Sequence, residues 1–91
     1  MKAIALRTCD SGTTADLIRL VIDNAQQGAT VSEMRARIRV LDALEANTDP
    51  DTLRLEDAEH GVLVAALNGF RFARVSKELL QMCDDILEAG Q

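Results

Sequence analysis

The stretch TVSEMRARIRVLDALEA, from Thr30 to Ala46, constrains this chain more than any other. Thr30 stands three residues before Glu33, a spacing at which the hydroxyl accepts from the Glu33 amide and the carboxylate reaches back to the Thr30 amide. That capping box predicts a helix start. Val31, Met34, Ile38, Leu41 and Leu44 then recur at steps of three and four, which puts them on one broad apolar face. Arg35, Arg39 and Asp42 share the other face. A central amphipathic helix of this length must find elements to pack against, so the flanking sequence is read for them.

Residues 2 to 8 set Ile4 and Leu6 on one side and Ala3, Ala5 and Arg7 on the other, an alternation that predicts a short strand. CDSGTT follows, rich in turn formers, with Thr13 or Thr14 placed to cap a helix. From Ala15 to about Gln27, the residues Leu17, Ile18, Val21, Ile22 and Ala25 keep helical spacing, and Gly28 suits a left-handed stop. After the central helix, TDPDT carries the only proline and breaks the pattern. Thr52 to Glu56 alternates polar and apolar, the pattern of a strand that pairs with the N-terminal one. Two strands alone are not stable and need helices against them.

Glu56, Asp57 and Glu59 crowd the start of a third helix, where the macrodipole favours negative charge by about 0.3–1 kcal/mol each. Its expected buried face is Ala58, Val62, Ala65, Ala66 and Leu67, and Asn68-Gly69 ends it. Ser76 caps a last helix with Leu79, Leu80, Cys83, Ile86 and Leu87 inward. Lys77, Glu78, Gln81, Asp84, Asp85 and Glu88 face out. The expectation is one domain over residues 1–91, α+β but mainly α: four helices and a small two-stranded sheet in the order β-α-α-β-α-α. Its core is aliphatic, because the chain has no Trp or Tyr and only two Phe.

Charge limits the partners. The net charge is −5, and the whole excess falls after residue 46, where four basic residues meet nine acidic ones. A duplex-binding protein shows a basic face that neutralises phosphates, and only the three Arg of the central helix offer one. Direct nucleic-acid binding is disfavoured. No run of 18 apolar residues is present, so nothing spans a membrane as a helix. Arg7 and Asp10 interrupt the apolar N-terminus before a signal-peptide core forms. Two isolated cysteines, Cys9 and Cys83, then suit reduced thiols in a cytoplasm, with a bridge between them the other option.

Cys9-Asp10-Ser11-Gly12-Thr13-Thr14 is the stretch nearest to a chemical site. A strand, a Gly/Ser/Thr loop and a helix N-terminus together make an anion cradle that lowers a thiol's pKa. The layout resembles the phosphocysteine loop of sugar-phosphotransferase B domains and low-molecular-weight phosphatases. The phosphatase pattern has an Arg six residues after the cysteine, where this chain has Ala15, and those folds need a four-stranded parallel sheet. A plain capped turn is the simpler reading. His60 is the only histidine, so no zinc spacing can be written. It reads as a surface residue paired with Glu56 or Glu59. No catalytic, cofactor-binding or metal-ligating residue is assigned, and the chain is expected not to be an enzyme and to need no cofactor.

The interface candidates carry more weight. Arg35 and Arg39 lie on the polar face of the central helix, while Arg37 projects into the apolar arc between Leu41 and Leu44. Either Arg37 reaches past them to a carboxylate of its own chain, or it sits between chains. Phe70 and Phe72 flank Arg71, with Arg74 close by, and aromatic and Arg side chains are common interface anchors. As the only aromatics, one ring is expected buried and the other partly exposed. Asp84, Asp85 and Glu88 form an acidic face, simplest as solvated surface and otherwise a recognition surface for a basic partner.

ARIRVLDALE (Ala36 to Glu45) followed by LRLEDAEHGVLVAAL (Leu53 to Leu67) resembles small helical proteins of temperate tailed phages and prophages. The resemblance covers about half the chain and rests on a pattern of apolar helices. It implies a setting, virion or host cytoplasm, where small acidic domains serve as assembly parts or as host-directed inhibitors. The leading expectation is a non-enzymatic assembly or structural component that self-associates. The alternative is a small acidic regulator that binds a host or nucleic-acid-handling protein. A thiol or phosphate site at the Cys9 loop is third.

Overall fold

The computed structural model describes residues 1–9, 12–26 and 28–89. The elements run β1 (Lys2–Ala5), β2 (Thr8–Cys9), β3 (Gly12–Thr13), α1 (Thr14–Asp23), α2 (Val31–Ala46), β4 (Thr52–Leu55), α3 (Asp57–Gly69) and α4 (Lys77–Glu88). Apart from the small β2–β3 hairpin, this is the expected β-α-α-β-α-α order. The fold is mainly α with a small sheet.

β1 and β4 pair antiparallel, with Ile4 opposite Leu53 and Lys2 opposite Leu55. Period-two alternation sends Ile4, Leu53 and Leu55 inward, where all three are buried, and leaves Ala3, Ala5 and Arg54 outside. One face of the sheet is therefore apolar, and the helices cover it. Leu17, Ile18, Val21 and Ile22 of α1, Val40 and Leu44 of α2, Leu63 and Leu67 of α3, and Met82, Cys83 and Ile86 of α4 complete one core.

Three of the four helices start on a side-chain cap. Thr13 accepts from the Asp16 amide at 3.1 Å, Thr30 from Glu33 at 3.1 Å, and Ser76 from Leu79 at 3.3 Å. The reciprocal half of a capping box is found at α1, where the Asp16 carboxylate accepts from the Thr13 amide, and not at the Thr30 start of α2. Thr14 is fully buried and fastens the hairpin. Its hydroxyl accepts from the Arg7 amide at 2.9 Å, and its own amide donates to the Arg7 carbonyl at 3.0 Å.

Packing corrects several expected helix faces. α1 ends at Asp23, so Ala25 lies in the loop, and Gly28 has its positive φ of +84° in that loop instead of at the helix end. On α2 the core takes Val40 and Leu44, while Val31, Met34 and Ile38 stand exposed. The core lies against the arc that contains Arg37, Val40 and Leu44, a rotation away from Val31, Met34 and Ile38. On α3 the buried residues are His60, Leu63 and Leu67, leaving Ala58 and Ala65 outside. On α4, Met82 is buried in place of Leu80. No helix among the described residues is long and apolar enough to cross a membrane.

Candidate interaction surfaces

The described surface offers two features: the outer face of α2, and a groove between α1, the 70–76 segment and α4. On α2, Val31, Met34 and Ile38 are 62, 49 and 52% exposed. They form an apolar stripe two turns long, pointing away from the core. Arg35, Arg39 and Asp42 are exposed along one side of it.

Among the described residues Arg37 reaches main-chain carbonyls instead of the carboxylate expected of it. Its Nη1 donates to the main-chain carbonyls of Val21 at 3.2 Å and Ile22 at 3.0 Å. These belong to the last turn of α1, which leaves carbonyls without intrahelical partners and has no basic residue of its own. The guanidinium is thus an internal cap from a neighbouring helix and, among the described residues, makes no ion pair.

The groove has a volume of about 450 Å³. Leu17, Leu20, Leu79 and Met82 supply apolar walls, and Phe70, Arg71, Phe72 and Arg74 line one side. All four interface candidates of this segment therefore gather at one place. Both phenyl rings are half-buried, where one was expected buried and the other partly exposed. They rest on each other, with centroids 4.8 Å apart and planes inclined at 56°, a tilted geometry that suits aromatic quadrupoles. A residue that the sequence reading missed holds the segment. Gln26 accepts from the Arg71 amide at 3.0 Å and donates to the Arg71 carbonyl at 3.2 Å. Its amide thus supplies both halves of a strand-like pairing, and nothing in the sequence links positions 26 and 71.

The acidic face of α4 is partly committed. Asp85 is paired with Arg7, through Nε and, at 3.3 Å, Nη2, and it also accepts from Gln81 at 3.2 Å. The Asp85 carboxylate raises the Arg7 pKa through the hydrogen bond first and the charge second. Asp84 is half-buried, and only Glu88 of the three is fully on the surface.

Cys9 is half-buried opposite Gly12 in the β2–β3 hairpin, and the start of α1 already faces the Asp16 carboxylate. A fixed anion at that spot opposes a second one. Asp10 and Ser11, also part of this expected site, lie outside the described residues. Cys9 and Cys83 are free thiols, not a bridge. His60 is not the surface residue expected. It is 8% exposed, with Nε2 2.8 Å from the Ile86 carbonyl oxygen, so that Nε2 carries the proton and joins α3 to α4.

Comparison of the chain with protein-family models, with curated proteins and with solved structures returns no match.

Proposed function

We propose that the protein is a non-enzymatic interaction module that self-associates, serving as an assembly or structural component. One observation carries this reading: α2 turns Val31, Met34 and Ile38 outward while only Val40 and Leu44 of its aliphatic residues are buried in the core. Exposed aliphatics scattered singly are ordinary, but three on one stripe of one helix form a surface that gains from being covered. The charged residues beside the stripe fit a contact with a polar rim. The phage and prophage resemblance agrees with such a role in virion assembly.

The alternative, a small acidic regulator docking a host protein through α4, has less to draw on, because Asp85 is engaged by Arg7. Light scattering behind size exclusion, over a hundredfold range of concentration at low and high salt, tests the leading reading. A defined oligomer that survives salt and is dissociated by Ile38→Asp supports it. A monomer at every concentration overturns it and favours the regulator.

A further inference from the structure

The outer face of α2 is self-complementary. Arg35 and Asp42 stand seven residues apart, two turns or about 10 Å, on one flank of the line through Val31 and Ile38. Met34 and Leu41 repeat that spacing on the other flank. Arg35 and Asp42 are exposed, and among the described residues neither has an ionic partner in its own chain. One flank thus carries Arg35, Arg39 and Asp42, and the other carries Met34 and Leu41 with the exposed Glu45 one turn beyond Leu41.

We propose that two copies pair through α2 in antiparallel register, about a two-fold axis crossing between Ile38 and Arg39; this rests on the self-association reading above. A two-fold axis perpendicular to both helices brings like flank to like flank with the sequence direction reversed. In that register Arg35 of each copy meets Asp42 of the other, twice over by symmetry. Ile38 meets Ile38 near the axis with the two Arg39 side chains beside it, each within a turn of the other copy's Asp42, and Met34 lies between Leu41 and Glu45 on the far flank. A parallel pairing has the opposite result. It lays the Arg35–Asp42 flank of one copy on the Met34–Leu41 flank of the other, so that Arg35 is covered by apolar side chains and Asp42 approaches the like-charged Glu45, which costs desolvation and repulsion without return. Charge complementarity therefore selects a second copy as the occupant, and selects its direction.

Charge reversal in mixtures tests the register. In Arg35→Asp homodimers, and likewise in Asp42→Arg homodimers, both symmetry-related contacts become like-charged. Each variant alone is expected to dimerise about tenfold more weakly than the wild type at low salt, two exposed ion pairs being turned into like-charged contacts. An equimolar mixture of the two variants restores both attractive contacts in the heterodimer. Its dissociation constant, measured by sedimentation equilibrium, is expected within about threefold of the wild type. A mixture no tighter than the separate variants overturns the register. Ile38→Asp separates that failure from failure of the wider reading: if it yields monomer, α2 remains the contact and only the register is wrong. If it leaves the oligomer intact, the α2 contact itself is wrong, and the register with it.

Discussion

Arg37 on α2 donates a hydrogen bond to the carbonyl oxygen of Ile22 in the last turn of α1, at 3.0 Å, and a second to that of Val21 at 3.2 Å. One guanidinium supplies two carbonyls that the helix leaves open and brings positive charge to the negative end of its dipole. Arg37→Met keeps most of the aliphatic stem and deletes both bonds. Hydrogen bonds from a charged donor contribute about 1.5–3 kcal/mol, and the half-buried setting favours the lower part of that range. The expected result is a lower urea midpoint with an unchanged slope, and a smaller loss for Arg37→Lys. A midpoint for Arg37→Met equal to that of the wild type would show that water replaces the guanidinium without cost.

His60 ties α3 to the last turns of α4 through the Ile86 carbonyl. His60→Leu is close in volume but donates nothing, so a buried acceptor loses its near partner. The amide of Ala89, 3.4 Å away, compensates only in part. The expected destabilisation is about 1–3 kcal/mol. Amide exchange at the C-terminal end of α4 should rise more than exchange in α1, which the ring does not touch.

Burial, and after it the negative charge of Asp84, pushes the Cys83 thiol above its ordinary value of 9.0. A thiol that ionises later in the folded than in the unfolded chain gives its full stabilisation below the unfolded value. It loses that stabilisation as the pH rises through the folded one. Between about pH 8 and pH 10.5, wild-type stability should therefore fall further than that of Cys83→Ala, compared by urea midpoints at each pH. In the native protein at pH 8, a thiol reagent should label Cys9 first, and Cys83 only as fast as the chain opens.

The Gln26 side chain pairs with the main chain of the aromatic segment, through the Arg71 amide and carbonyl. Gln26→Ala should cost about 0.5–1.5 kcal/mol or less, since the pairing is exposed. Its clearer effect is local: amide exchange at Arg71 should accelerate while that of the β1–β4 ladder stays as it was. Equal acceleration at both would mean that residues 70–76 open only with the whole fold.

Thr13, Thr30 and Ser76 were legible as helix starts because a cap acts within three residues, and the β1–β4 pairing was legible because alternation in a short strand admits one inward face. Element order followed from such local rules. What the sequence by itself could not determine was which arc of each helix the core would take. On α2 a wide apolar arc offered several solutions, and the positions of α1 and α3 chose the side of Arg37, Val40 and Leu44, leaving Val31, Met34 and Ile38 in water. The partners of Arg37, His60 and Gln26 are main-chain atoms 15, 26 and 45 residues away. Every residue carries such atoms, so no side-chain pattern in the sequence marks them. Periodicity and caps set the elements of this protein; tertiary packing alone decided which apolar face stayed outside and which polar groups closed the gaps between helices.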